Sequence, residues 1–269
     1  MAEQYTVTIE SVDYEGKGIA RIEGKTVFVY GAMAGEEVLI EIVKRKPSFD
    51  KAKLVEIIQA SPKRVTPECP NYGVCGGCSM QHVSFDEQIR IKQQVLTDNL
   101  QHLGNVVAEE IMSPLAGVPW GYRHRARLSA RYVAKKGGAL VGFREKGEPY
   151  VLDMHQCLIL PAHVSALITP LRELVSAVSI RDKIPQIEVA VGTQVTILVI
   201  RNMEALNPED EQLIRQFIEQ YSSLENPLQI WLQPKGPETC YPFYPIDAPK
   251  LSYTIQRFRL DMPYNPSEF

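Results

Sequence analysis

Five cysteines carry most of the chemistry in this sequence, and three of them lie within ten positions, at Cys69, Cys75 and Cys78. The last two have the spacing that lets two sulfurs bind one metal centre, and the two glycines between them remove Cβ atoms that would crowd a tight ligand loop. Three thiolates are one ligand short of a tetrahedral site or a four-iron cluster, and Cys157 is the best candidate for the fourth. The spacing therefore predicts a metal site.

Other uses of the cysteines are less consistent with the sequence. A disulfide framework requires an oxidising compartment, and we find no signal-peptide pattern at the start of the chain and an odd number of cysteines. Three clustered thiolates with one remote thiolate favour an iron–sulfur cluster, with zinc as the open alternative. Cys240 fits no ligand spacing, and we interpret it as an ordinary thiol.

A basic segment is the second stretch that could carry chemistry. Positions 123–146 hold eight Lys or Arg residues and one acid, in a chain whose net charge is −3. If the segment is a strand, its alternation predicts one shared face for Arg123, Arg125, Arg127, Ser129 and Arg131. Arginine forks beside aromatic rings suit phosphates and bases, so we predict contact with nucleic acid. The alternative is an arginine ladder that pairs with acids on a neighbouring strand.

Composition sets the frame for these groups. The chain has 269 residues, of which 45% are hydrophobic and 23% charged, which is enough for two domains. We find no apolar run of membrane-spanning length, so we expect a soluble, cytoplasmic protein with no membrane partner. We also expect a monomer. The acidic net charge rules out a global basic field as the basis of nucleic-acid binding.

The elements that would position these groups fall into three parts, and together they predict an α+β fold. Residues 1–60 alternate as about five short strands, typical of an OB-like β-barrel. Residues 61–105 read as a linker, the cysteine loop and a helix with a capping box formed by Ser84 and Glu87. In residues 106–269 we expect a central domain with an antiparallel sheet, and a helix over 162–176 that is kinked or split at Pro170.

Taken together, these segments resemble the TRAM-containing RNA uracil-C5 methyltransferases, and most closely the ribosomal RNA enzymes that hold a [4Fe-4S] cluster. The resemblance lies in residues 14–20, the loop from Cys69 to Cys78, and residues 119–123, 141–144 and 156–157. It implies 23S ribosomal RNA as the partner and the four cysteines Cys69, Cys75, Cys78 and Cys157 as cluster ligands. It also implies an RNA-facing segment with Arg123, Arg125, Arg127, Phe143 and Arg144, among which we favour Arg125 for direct contact.

The same resemblance leads us to expect a truncated chain. Members of this family continue into a Rossmann-like domain that binds S-adenosylmethionine, where a cysteine thiolate attacks uracil C6 before methyl transfer to C5. We find neither a Gly-rich cofactor turn nor an activated cysteine. We therefore predict that this domain is absent, that the chain holds no catalytic or S-adenosylmethionine-binding residue, and that it is an inactive RNA-recognition portion ending at Phe269.

Three other functions remain open from the residues. One is a stand-alone RNA-binding module that depends on zinc or on an iron–sulfur cluster and has no catalytic activity. Another is a radical S-adenosylmethionine enzyme, although such enzymes use C-x3-C-x2-C rather than the C-x5-C-x2-C found here. The third is the transfer-RNA branch of the same methyltransferases, because the target uridine cannot be deduced from these residues.

Overall fold

The computed structural model describes residues 3–267, which form two compact units. One unit comprises the residues up to 73 together with 77–117, and the other comprises 74–76 together with the residues from 118 onward. Phe269, the predicted point of truncation, lies outside the described residues. Within residues 3–267, no helix is both long enough and apolar enough to cross a membrane.

The first unit is built on a six-stranded sheet, with strands in the order β1-β5-β6-β4-β3-β2. The pair of β4 and β6 is parallel and the other pairs are antiparallel. Alternation places Val27, Val29, Val38 and Ile40 inside at 0% exposure, which gives this unit its core. The strands are β1 (Gln4–Thr8), β2 (Ser11–Val12), β3 (Lys17–Ile22), β4 (Lys25–Tyr30), β5 (Glu37–Arg45) and β6 (Phe49–Gln59).

The helix α1 (Phe85–His102) follows, where the sequence predicts one, but its predicted capping box does not form. Ser84 occupies the N-cap position without accepting a side-chain hydrogen bond from the helix. Glu87 pairs instead with Arg90 one turn along, at 2.6 and 2.8 Å. The ion pair therefore takes the side chain that the capping box requires.

The second unit contains another six-stranded sheet, in the order β12-β11-β10-β9-β7-β8, and a separate two-stranded hairpin. Leu128, Ile187, Leu198 and Leu171 are fully buried and represent the core between the sheet and its helices. The elements are β7 (Arg125–Val133), β8 (Gly138–Gly142), α2 (Ala162–Ala166), α3 (Ile168–Ala177), β9 (Gln186–Val191), β10 (Thr196–Ile200), α4 (Pro208–Tyr221), β11 (Leu228–Leu232), β12 (Tyr241–Tyr244), β13 (Ser252–Ile255) and β14 (Leu260–Pro263).

The prediction of an antiparallel sheet in this part of the chain is wrong, because the sheet is mixed. Strands β10 and β11 are parallel, with Thr196 opposite Leu228 and Ile200 opposite Leu232. Parallel neighbours cannot be joined by a tight turn, and here α4 lies between them in the chain. The unit thus contains a strand–helix–parallel-strand crossover that the sequence analysis did not anticipate.

The predicted helix over 162–176 is divided, but the division lies at Leu167 rather than at Pro170. Pro170 sits in the first turn of α3, where a backbone N–H has no partner within the helix. A proline there removes no helical hydrogen bond, so it neither kinks nor ends the helix.

A buried carboxylate in the first unit gives a testable measure of its stability. Glu36 is 0% exposed and accepts hydrogen bonds from Arg64 at 2.6 and 2.7 Å and from the N–H groups of Met33 and Ser61. Burial raises the pKa of Glu36, but these hydrogen bonds outweigh burial, so its pKa lies below the ordinary value. Its contribution to stability is therefore present above the pKa of the unfolded chain and is lost as pH falls through the folded pKa.

We expect Glu36→Ala to lower the free energy of unfolding by about 3–5 kcal/mol at neutral pH, because it leaves a partly buried guanidinium and two backbone donors without their acceptor. Urea unfolding measures this loss, and the exposed neighbour Glu37 provides the control, because Glu37→Ala should change little. Equal stabilities for the two variants would contradict this account, as would a loss that did not shrink in acid.

Candidate functional site

Strand β7 carries the basic segment, and its two faces differ as the sequence predicts. Ala126, Leu128 and Ala130 are buried on one face. The other face carries Arg125, Arg127, Ser129 and Arg131, of which Arg127 and Arg131 are exposed. The strand begins at Arg125, so Arg123 and His124 precede it rather than belonging to it.

Arg123 and Phe143 form a stacked pair beside the strand. The Arg123 guanidinium lies 5.2 Å from the centre of the Phe143 ring, and its Nε donates to the carbonyl of Arg125 at 3.2 Å. Phe143 itself is only 9% exposed. Arg144 is exposed, and its Nε donates to the Ser129 hydroxyl at 3.2 Å. The predicted RNA-facing residues thus comprise four arginines at the surface or partly exposed and one buried ring.

Arg127 meets a carboxylate on the neighbouring strand. Strands β7 and β9 are antiparallel, and the register places Arg127 opposite Glu188. The Arg127 Nε donates to Glu188 Oε1 at 3.0 Å, so the alternative of an arginine paired with an acid on the next strand holds at this position. Arg125, two residues earlier, lies with its guanidinium 5.3 Å from the centre of the Tyr264 ring.

Glu188 is a residue that the sequence analysis missed. Burial raises its pKa above the ordinary value, although the positive charges of Arg127, Arg125 and Arg201 act in the opposite direction. The available signal was a single acid inside the apolar run of β9, next to a strand rich in arginine. An acid on such a run is costly unless cations face it.

Two of the predicted metal ligands, Cys75 and Cys157, belong to the second unit and are both buried. The backbone around Cys75 pairs with residues 144–146: the Gly76 N–H donates to the carbonyl of Arg144 at 2.9 Å, and the Lys146 N–H donates to that of Val74 at 2.7 Å. The Cys157 N–H donates to the Ser165 hydroxyl at 2.9 Å. Both thiols are therefore held on hydrogen-bonded backbone.

The other two predicted ligands, Cys69 and Cys78, belong to the first unit and are partly buried. Between them, Tyr72 donates its hydroxyl to the carbonyl of Ser79 at 2.8 Å and contacts His82. Burial raises the pKa of Tyr72 to about 12, so the phenol keeps the proton that it donates to the carbonyl of Ser79. Among residues 3–267, no three His, Cys, Asp or Glu side chains form a group that could hold a metal ion.

Comparison with known proteins identifies a known domain in the N-terminal part of the chain. Residues 2–55 match the TRAM domain, in agreement with the resemblance of this part of the sequence. The chain is also 52% identical over 266 residues to the 23S rRNA (uracil(1939)-C(5))-methyltransferase RlmD of Chromobacterium violaceum, covering 99% of this chain and 52% of that protein. It is 51% identical to the protein of the same name from Nitrosospira multiformis and 52% identical to that from Cupriavidus necator. The chain spans 52–60% of the length of these three relatives.

A solved structure with a similar fold is the tRNA (uracil-54, C5)-methyltransferase of Pyrococcus abyssi in complex with S-adenosyl-L-homocysteine. The TM-score is 0.65 at 19% identity, and the match covers 98% of this chain and 60% of that one. At this identity the likeness concerns the fold, which nearly the whole chain shares with that part of a methyltransferase.

These matches overturn three linked predictions. From the sequence we expect a chain without the Rossmann-like methyltransferase domain, limited to RNA recognition and inactive alone. That expectation is wrong: 98% of the chain aligns with the fold of a uracil-C5 methyltransferase, and 98–99% with relatives that are named as methyltransferases. The inference depended on missing motifs and on the position of the last residue, and neither determines what the chain does.

Gly76 lies close to the backbone of Arg144, so replacing this glycine tests how tightly the cysteine segment is packed. A Cβ at Gly76 would lie 3.2 Å from the Arg144 carbonyl oxygen, whereas one at Gly117 would meet no atom within 4 Å. We expect Gly76→Ala to lower the free energy of unfolding by about 1 kcal/mol. Gly117→Ala should be neutral or slightly stabilising, because alanine restricts the unfolded chain. Urea unfolding of both variants is the measurement, and a Gly76→Ala variant as stable as Gly117→Ala would refute the crowding.

Proposed function

We propose that this chain serves in the S-adenosylmethionine-dependent methylation of uracil C5 in 23S ribosomal RNA. The observation that carries the proposal is the identity of about one half, over 98–99% of the chain, to proteins named as 23S rRNA (uracil(1939)-C(5))-methyltransferases. The TRAM match and the fold shared with a uracil-C5 methyltransferase support it. The proposal includes the cytoplasm as the location, where ribosomal RNA is made in bacteria, and a monomer as the active form.

We further propose that the arginines of the basic segment contact the RNA. Arg123, Arg125, Arg127 and Arg144 would bind phosphates or bases, because guanidinium groups match phosphate geometry and stack on rings. The partial exposure of Arg127 and the exposure of Arg144 support this role. Phe143 would act through Arg123, whose guanidinium stacks on its buried ring.

We also propose that Cys69, Cys75, Cys78 and Cys157 hold a [4Fe-4S] cluster. The spacing of these four cysteines supports the proposal, because thiolates are the donors that such clusters require. When bound, the cluster would tie a loop to a residue far along the chain and so restrict the unfolded state. The role of the four cysteines is then structural.

The methylation proposal is tested in cells. Disruption of the gene should remove 5-methyluridine from the site in 23S rRNA that corresponds to uracil 1939, and a plasmid copy should restore it. Mass spectrometry of ribonuclease fragments from 23S rRNA and from transfer RNA measures both RNAs in the same strain. Retention of the rRNA modification would contradict the proposal. A loss confined to transfer RNA would favour the second candidate, a transfer-RNA enzyme, for which the fold shared with a tRNA (uracil-54, C5)-methyltransferase is the supporting observation.

The cluster proposal is tested by metal analysis. Protein purified without oxygen should contain about four irons and four sulfides per chain with broad visible absorption, and Cys157→Ser should lose most of them. Cys240→Ser is the matched control, because this partly buried thiol lies outside the predicted ligand set. Stoichiometric zinc in place of iron would contradict the assignment of the metal, and an intact cluster in Cys157→Ser would contradict the fourth ligand.

A further inference from the structure

Glu188 lies opposite Arg127 in the register of β7 and β9 and is almost inaccessible to solvent, with 3% of its surface exposed. Its Oε1 accepts from the Nε of Arg127 at 3.0 Å and from the Nε2 of Gln186 at 2.6 Å. Its Oε2 is buried and has no hydrogen-bond partner among the described residues. Only one of the two carboxylate oxygens therefore accepts hydrogen bonds from the described residues, which is unusual for a buried charged group.

The charges around this carboxylate are unbalanced. Arg125, Arg127 and Arg201 all act on Glu188, so three guanidinium groups face one acid. The Nε of Arg201 is also buried and makes no hydrogen bond within the described part of the chain. The thiol of Cys240 has a pKa raised by burial and by the charge of Glu188, so it adds no negative charge. Three guanidinium groups and one carboxylate therefore act on one another in this cluster.

Glu188 is not explained as a stabiliser of the fold. Burial raises its pKa in spite of three neighbouring arginines, so the desolvation of the carboxylate exceeds the attraction that it gains. A group with a raised folded pKa supports folding at low pH and loses that support as pH rises through the folded pKa. At neutral pH the charged form of Glu188 therefore costs stability.

The two ends of the Glu188–Arg127 pair differ in their exposure to solvent. The side chain of Glu188 is 4% exposed and that of Arg127 is 54% exposed, so the pair joins a fixed buried end to an accessible one. The hydrogen bond from Nε of Arg127 to Glu188 Oε1 restricts the plane of the guanidinium on a side chain that remains accessible to solvent. A guanidinium fixed in this way loses less rotational freedom when it binds a phosphate.

We propose that Glu188 is the positioning residue of the RNA interface, holding Arg127 so that its guanidinium meets an RNA phosphate in a fixed orientation. This inference rests on the proposed function, because it takes RNA as the anion. Glu188 itself touches no RNA. It acts through Arg127, and the two should behave as one unit when either is replaced.

The test measures RNA affinity and stability together in the full chain. The probe is a fluorescein-labelled fragment of 23S rRNA that contains the uridine corresponding to 1939, and its dissociation constant is measured by anisotropy at several salt concentrations. The variants are Glu188→Met, which keeps the volume without the charge, Glu188→Gln, which keeps the acceptor, Arg127→Gln, and the double replacement of Glu188 by Met and Arg127 by Gln. Glu204→Gln is the control, because it removes an exposed ion pair with Lys183 in the same unit.

We expect Glu188→Met to weaken RNA binding about tenfold and to lower the slope of log K against log salt by about one, the loss of one phosphate contact. Its melting temperature should be equal to or above that of the wild type, because an apolar side chain of similar volume replaces a costly buried charge. Glu188→Gln should recover part of the affinity. Arg127→Gln should match Glu188→Met, the double variant should be no weaker than Arg127→Gln, and Glu204→Gln should bind normally.

The opposite outcomes distinguish the positioning role of Glu188 from the contact of Arg127 with RNA. If Arg127→Gln weakens binding while Glu188→Met does not, Arg127 contacts RNA without help from Glu188, and the positioning role is wrong. If Glu188→Met binds weakly only because its melting temperature has collapsed, and Glu188→Gln binds as the wild type does, Glu188 is structural and the positioning role is again wrong. If Arg127→Gln also binds normally, the RNA interface itself is misplaced and the proposed function loses this support.

Discussion

The alternation along β7 is the constraint on which the second unit depends. Successive side chains of a strand point to opposite faces, so burying Ala126, Leu128 and Ala130 forces the intervening arginines onto the other face. The core cannot form without gathering positive charge in one place. That charge needs a counterpart, and the neighbouring strand supplies a single acid, Glu188, in register with Arg127. Core packing and surface charge are therefore two results of one pattern.

The energy of this arrangement shows why the acid is not simply a stabilising partner. A buried ion pair contributes to stability only if the attraction exceeds the cost of removing both charges from water. For Glu188 it does not, because burial keeps its pKa above the ordinary value. Glu36 in the first unit is the contrasting case. It is equally buried, but four hydrogen bonds from Arg64 and two backbone N–H groups bring its pKa below the ordinary value. The number of hydrogen-bond donors that reach each carboxylate therefore determines whether its pKa is raised or lowered.

Local patterns in the sequence predicted the features that depend on neighbours in the chain. The alternation of β7 and the position of α1 both follow from residues a few positions apart. The parallel pair β10 and β11 could not be found in that way, because the two strands pair across 27 intervening residues that include α4. Two predictions about helix ends were also wrong. The capping box at Ser84 does not form, because the side chain that it requires makes an ion pair instead. The helix predicted over 162–176 divides at Leu167, where the sequence has no helix-breaking residue.

The expectation of a missing domain failed on a different ground. It used the absence of a Gly-rich turn and of an activated cysteine as evidence about the whole chain, whereas a fold is specified by the placement of strands, helices and buried residues along the full sequence. That placement is what 98% of this chain shares with the fold of a uracil-C5 methyltransferase. The same distinction applies to the cysteines. Their spacing identifies a plausible donor set because sulfur chemistry is local, but a ligand set also requires four sulfurs at one point. Spacing in the sequence limits which thiols can meet, and the fold must bring four of them to one point.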